Sequence, residues 1–266
     1  MNFFGPPLCV KVHIEKRKGM TVTQLLAALT LLLLPLQLVA EPVRIAVASN
    51  FTHAMQDLEK AFEQQSEHEI ELIFGSTGKI YAQIINGAPF DAFFAADSAR
   101  PERLEQDGRI QPGSRFTYAV GRIVLWSPDG QLHLDKGLAL ENAEFRHLAI
   151  ANPKLAPYGK AAQQVLQTQG VWDLLQDRIV RGENIGQTFQ FVVSGNAELG
   201  FVALSQLKSQ SGESSANVWL VPTQLYDPIE QQAVYLTNKP AVTAFIDFVK
   251  SDTARRIIQR YGYSTP

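Results

Sequence analysis

Short runs rich in apolar and β-branched residues alternate with amphipathic stretches along nearly the whole chain, and this alternation restricts the fold more than any other feature. A strand followed by a helix and another strand is the order of parallel sheets covered by helices, because parallel neighbours need a crossover that a helix supplies. Residues 43–48 read as a buried strand, and after Ser49 and Asn50 the apolar residues Ala54, Met55, Leu58 and Phe62 recur at helical spacing. A second strand is expected over 70–74. Gly75, Ser76, Thr77 and Gly78 then turn the chain into a helix marked by Ile80, Ile84 and Ile85. A third strand is expected over 91–96, with Asp97 capping a helix that runs through Leu104. Further strands are expected over 123–126, 148–151, 199–203 and 233–236, and helices over 159–166, 187–193, 240–250 and 253–261. The small polar residues of 209–215 read as a surface loop, and no internal repeat or low-complexity segment interrupts the pattern.

Residues 1–40 do not share this pattern. Lys16, Arg17 and Lys18 form a basic cluster ahead of an apolar run from Leu25 to Leu34, which leads through Leu38, Val39 and Ala40 to Glu41 and Pro42. These are the three regions of a cleaved secretory signal in order, and the apolar run is shorter than the roughly 20 residues that a membrane span needs. Met20 offers a second start, but only the form beginning at Met1 keeps the basic cluster. The sole cysteine, Cys9, lies in this segment, so residues 41–266 have no disulfide, thiolate metal site or cysteine nucleophile, and no cysteine to carry a lipid. Four basic residues and one acidic residue fall within 1–40, which leaves 20 basic against 25 acidic residues and a net charge of −5. Nucleic acid and anionic membrane are poor partners for that balance.

Three strand-to-helix turns share one chemical signature, with hydroxyl or amide residues and glycine where a helix begins. They are Ser49-Asn50, Ser76-Thr77-Gly78, and Asn184-Ile185-Gly186-Gln187-Thr188. A helix start presents unpaired N–H groups and roughly half a positive charge, so each turn is a ready anion site. Serine, threonine and asparagine also cap ordinary helices, so a site requires several such turns to meet at one ligand.

Other chemistries find little support. Gly78-Lys79 looks like the end of a P-loop, but Ile73 and Ile80 stand where that loop needs glycine and Ser or Thr. His53, His68, His133 and His147 are isolated and show no metal-ligand spacing. No Gly-x-Ser-x-Gly elbow is present, and Asp91 and Asp97 read as capping and loop-anchoring residues.

At these turns the sequence resembles the periplasmic molybdate-binding proteins of ABC transporters. The resemblance is carried by Ala46-Val47-Ala48-Ser49-Asn50-Phe51, Phe74-Gly75-Ser76-Thr77-Gly78-Lys79, Gly87-Ala88-Pro89-Phe90-Asp91 with Ala95-Ala96-Asp97, Ala151-Asn152-Pro153 leading to Pro157-Tyr158-Gly159, and Gly195-Asn196-Ala197-Glu198-Leu199-Gly200-Phe201-Val202. It implies a two-lobed α/β protein of the type II periplasmic binding fold, each lobe a mixed, mostly parallel sheet flanked by helices, with two interlobe crossovers. Residues 41–121 and 224–266 would form lobe I and residues 122–223 lobe II. The implied oxyanion contacts are Ser49 with Asn50 beside it, Ser76 or Thr77, Tyr158, and Ile185 through its backbone N–H. Some members add a tyrosine where this chain has Ala203, and Tyr158 would then supply the phenol.

The resemblance further implies a non-enzymatic, monomeric periplasmic protein that binds molybdate or tungstate and hands it to an inner-membrane ABC permease. The metal would arrive as an oxyanion with no direct protein ligand, and no cofactor is expected. A fully deprotonated dianion asks only for donors, whereas protonated phosphate would need a carboxylate acceptor that none of the turns contains. Two other readings remain open at this point. One is a carrier of sulfate or another tetrahedral oxyanion, and the other is an exported hydrolase using Ser49 or Ser76, which would need a general base nearby.

Overall fold

The structure is a computed structural model that describes residues 42–130, 132, 134, 137–142, 145–209 and 217–266. The expected signal segment, His133 and most of the expected loop at 209–215 lie outside the described residues. Among the described residues, ten strands form two five-stranded sheets. The first contains β1 (Val43–Ala48), β2 (Ile70–Gly75), β3 (Ala92–Phe94), β4 (Phe116–Gly121) and β10 (Ile229–Tyr235) in the order β2-β1-β3-β10-β4. The second contains β5 (Ile123–Trp126), β6 (Leu148–Ala151), β7 (Ile179–Gly182), β8 (Leu199–Ala203) and β9 (Val218–Leu220) in the order β7-β6-β8-β5-β9.

The two sheets have the same plan. In each, three neighbouring strands run parallel, and the fourth, β10 or β5, pairs antiparallel with both of its neighbours. Those two antiparallel strands are where the chain arrives from the other sheet. Arg122 alone separates β4 from β5, and residues 221–228 lead from β9 back to β10. The protein therefore has two lobes, each mixed α/β, joined by two crossovers.

Helices cover both faces of each sheet, for the reason visible in β1, whose side chains alternate between two apolar layers. Ile45 and Val47 pack with Met55, Leu58 and Phe62 of α1 (Thr52–Glu63), with Val242, Phe245 and Ile246 of α8 (Pro240–Val249), and with Ile257 and Ile258 of α9 (Asp252–Arg260). Ala46 faces the other way, toward Ile80 and Ile84 of α2 (Thr77–Ile85) and Leu104 of α3 (Ala99–Gln106). In the second lobe Leu148 and Ile150 meet Ala161, Ala162, Val165 and Leu166 of α5 (Pro157–Thr168), while Ala149 meets Phe189 and Val192 of α6 (Ile185–Val193). Two short helices, α4 (Leu138–Asn142) and α7 (Leu204–Lys208), complete the second half.

Several boundaries differ from those expected. The third strand covers only Ala92–Phe94, because the Asp91 side chain accepts hydrogen bonds from Arg44 N and from the Thr237 hydroxyl, and its backbone carbonyl takes Leu236 N, anchoring the strand end. Helix α3 begins at Ala99 rather than directly after Asp97. Asp97 still acts as an acceptor there, since its Oδ1 takes the Arg100 N–H at 3.2 Å. Helices α5 and α6 each begin two residues earlier than the apolar spacing suggests.

Candidate functional site

Parallel strands deliver their carboxyl ends to one edge of a sheet, and in both lobes that edge faces the other lobe. After β1, Ser49–Phe51 forms a single 3-10 turn that runs into α1, and the Thr52 hydroxyl donates to Ser49 O at 2.9 Å to hold it. After β2, Ser76 is the N-cap of α2, its Oγ accepting from Lys79 N. Across the cleft α5 opens with Pro157 at its first turn, where a missing N–H costs nothing. After β7, Asn184 caps α6 by accepting from Gln187 N at 2.9 Å.

These four helix starts surround one small cavity, lined by Ala48, Ser49, Asn50, Gly75, Ser76, Thr77, Ala96, Ala156, Pro157, Tyr158, Asn184 and Ile185. All six residues singled out in the sequence, Ser49, Asn50, Ser76, Thr77, Tyr158 and Ile185, stand on its wall. No Asp, Glu, His, Lys or Arg lines it. Neither serine there has a general base among its neighbours, so the wall lacks what a serine nucleophile requires.

The three hydroxyls are oriented by the protein. Thr77 Oγ1 accepts from Ala96 N at 3.1 Å, Ser76 Oγ from Lys79 N at 3.4 Å, and Ser49 Oγ from Gly186 N at 3.4 Å. Each oxygen is thereby used as an acceptor, and among the described residues none of the three donates its own proton to a protein group. A hydroxyl has one proton to give, so the cavity faces three O–H donors as well as the N–H groups of the helix starts. Charge is arranged to match. The first turns of α1, α2, α5 and α6 contain no acidic residue, as those of α7 and α8 also do not, while α3 has Glu102, α4 has Glu141 and α9 has Asp252. Acids stabilise a helix start, so their exclusion from these four leaves the positive helix ends uncompensated at the cavity.

Asn50 and Tyr158 contribute differently from what their side chains suggest. The Asn50 amide is turned away from the cavity, donating to Gln231 Oε1 at 2.8 Å and to the Tyr263 hydroxyl at 3.0 Å. The Tyr158 hydroxyl lies 3.4 Å from Gln231 Nε2, which donates to it. Burial pushes its pKa well above the ordinary tyrosine value, so the phenol is neutral across the accessible pH range. For both residues the backbone N–H at the helix start is the group placed for an anion.

The cavity is roofed by contacts between the lobes that the sequence did not announce. Gly78 N donates to Leu155 O at 2.8 Å, and a Cβ on Gly78 would stand 3.0 Å from the Leu155 backbone, so a larger residue would push the two backbones a few tenths of an ångström apart. Lys79 pairs with Glu183 in an exposed ion pair, and Arg100 Nη2 donates to Lys154 O at 3.1 Å. Asn184 and Gly186 belong to the third turn read in the sequence, but their separate parts come from the fold: Asn184 lines the cavity and Gly186 N holds the Ser49 hydroxyl. A cap residue and a glycine have no local signature that separates them from any other helix start.

A family model described as bacterial extracellular solute-binding protein matches residues 43–264. The chain belongs to this family. The molybdate-binding protein ModA of Azotobacter vinelandii is 46% identical over 246 residues, covering 91% of this chain and 98% of its own length. ModA of Rhodobacter capsulatus is 44% identical over 235 residues, covering 87% of this chain and 92% of its own length. Among solved structures, the Azotobacter vinelandii periplasmic molybdate-binding protein superposes with a TM-score of 0.80 at 40% identity, covering 84% of this chain and 99% of its own.

Proposed function

We propose that the protein is the exported receptor of an oxyanion importer, binding molybdate, and tungstate with it, in the cavity between the lobes and presenting the closed form to an inner-membrane ABC permease. One observation carries the reading: four helix starts, two from each lobe, and three pre-oriented hydroxyls line a single cavity that holds no Asp, Glu, His, Lys or Arg side chain. A small dianion fits such a wall because it offers hydroxyl and helix-start N–H donors and no carboxylate. Neutral donors also avoid a buried ion pair, whose desolvation cost can cancel its Coulomb gain. Relatives named as molybdate-binding proteins support molybdate over sulfate as the ligand. A monomer in the periplasm, with no cofactor and no nucleic-acid partner, completes the reading. Among the described residues no helix is long and apolar enough to cross a membrane.

Calorimetric titration of residues 41–266 with molybdate, tungstate, sulfate and phosphate tests this. Molybdate and tungstate are expected to bind stoichiometrically and phosphate not at all, since a protonated oxyanion would bring a donor to a wall without a carboxylate acceptor. Tight binding of phosphate alone would overturn the reading, and tight binding of sulfate alone would transfer it to a sulfate carrier.

A further inference from the structure

Behind the cavity lies a fully buried polar cluster that the anion contacts do not explain. Gln231, in the middle of β10, is completely buried. Its Oε1 accepts from Asn50 Nδ2 at 2.8 Å and from the Tyr118 hydroxyl at 3.0 Å, and its Nε2 donates to the Tyr158 hydroxyl. Tyr263 donates its one hydroxyl proton to Asn50 O at 2.7 Å, and its oxygen lies 2.9 Å from Ser205 Oγ, which itself donates to Asn50 O at 2.9 Å. Asn50, Tyr118, Gln231 and Tyr263 belong to the first lobe, and Tyr158 and Ser205 to the second.

We propose that Gln231 is a positioning residue that couples anion capture to lobe closure, by tying Asn50 and Tyr158, which line the cavity from opposite lobes, to the strands through which the chain passes between lobes. This rests on the anion-binding reading above.

Three observations support it. First, β10 carries the returning crossover and β4, with Tyr118, the outgoing one, so the carboxamide touches both passages and both walls of the cavity. Second, the register of β10 against β4 shifts between Gln231 and Gln232, and such an irregularity re-aims side chains. Gln231 enters the cluster, whereas Gln232 accepts from Arg115 and donates to Thr117. Third, the Tyr158 phenol rests on the backbone of Gly121, the last residue of β4. A Cβ there would lie 2.1 Å from the Tyr158 hydroxyl oxygen and 2.7 Å from Gln231 Nε2. The phenol thus needs a bare backbone at the crossover itself. A buried amide is costly unless all its partners are met, so the cluster is either assembled, with the lobes closed, or broken.

The test compares wild-type residues 41–266 with Tyr158→Phe and Gly121→Ala, which alter the cluster but leave in place the Ser49, Ser76 and Thr77 hydroxyls and the helix-start N–H groups of the cavity wall. Gln231→Met is a third variant. Titration and stopped-flow release of molybdate are measured, with sulfate as a second ligand. The expected result is release about ten times faster in each variant, an association rate within about twofold of wild type, and an unchanged ratio of molybdate to sulfate affinity. Release as slow as wild type in Tyr158→Phe and Gly121→Ala would overturn the proposal. A collapse of the affinity ratio in Tyr158→Phe would also overturn it, by showing that the phenol contacts the ion directly. If the wild type binds none of the oxyanions, the functional reading falls and this one with it. If the wild type binds and the variants match it, only the coupling falls.

Discussion

At the scale of single residues, the cavity hydroxyls differ in how much the fold depends on them. Ser49 Oγ is held by one long bond from Gly186 N, a half-buried group that water can reach once the hydroxyl is gone. Ser49→Ala is therefore expected to weaken molybdate binding by about 1–3 kcal/mol, one hydrogen bond to a charged acceptor, with little change in melting temperature. Calorimetry and thermal denaturation of the same sample check both parts, and an unchanged affinity would remove Ser49 from the site. Thr77 differs, because its Oγ1 is the partner of a buried N–H, that of Ala96. Thr77→Val keeps the shape but orphans that donor, so both affinity and stability are expected to fall, stability by about 1–3 kcal/mol in chemical denaturation. These hydroxyls were legible in the sequence because each stands next to the end of an apolar run. Gln231, Tyr118, Tyr263 and Ser205 were not legible. Each is a polar residue in an unremarkable setting, and only the tertiary fold brings them together at Asn50.

Among secondary-structure elements, legibility followed the apolar pattern. Strand β1 and helices α8 and α9 bury continuous or periodic apolar residues and stood out. Strand β4 did not, because it runs into β5 with only Arg122 between them, and no turn residue punctuates the passage. Strands β7 and β9 are short edges of their sheet, and β10 was expected only over its apolar half, since Gln231 and Gln232 interrupt the hydrophobic run. The absence of acids from the four cavity-facing helix starts is also an element-scale property, and it yields a prediction in which two effects have opposite signs. Gln187, exposed in the first turn of α6, would as Gln187→Glu put a carboxylate at that helix start. An ordinary helix gains about 0.3–1 kcal/mol from such a charge. Here the same charge opposes the anion, so the ligand-free protein should melt at an equal or higher temperature while molybdate affinity drops several-fold. If affinity and stability rise together, the positive end of α6 does not act on the ligand.

The whole molecule closes two lobes over a wall without a side chain that is charged near neutral pH, and its buried phenols extend that neutrality into the crossover region. Burial pushes the pKa of Tyr118 and Tyr158 well above the ordinary value near 10, and that of Tyr263 up to about 12. Affinity for a fully deprotonated oxyanion is therefore expected to stay flat between about pH 7 and 9, where no wall or cluster group changes charge. Stability behaves differently at higher pH. The unfolded chain releases its tyrosine protons near pH 10, while the folded chain still holds them. From there upward the unfolded state binds fewer protons than the native one, so stability falls as pH rises, by about 1.4 kcal/mol per pH unit for each retained phenol proton. The loss contributed by Tyr263 should level off once its own phenol ionises near 12. Urea unfolding at intervals between pH 9 and 11.5 measures the slope. Tyr263→Phe should flatten it by one proton's worth, whatever its effect on absolute stability. Parallel slopes for wild type and variant would mean that Tyr263 ionises as readily in the folded chain as in the unfolded one, and that the cluster it anchors is open to water.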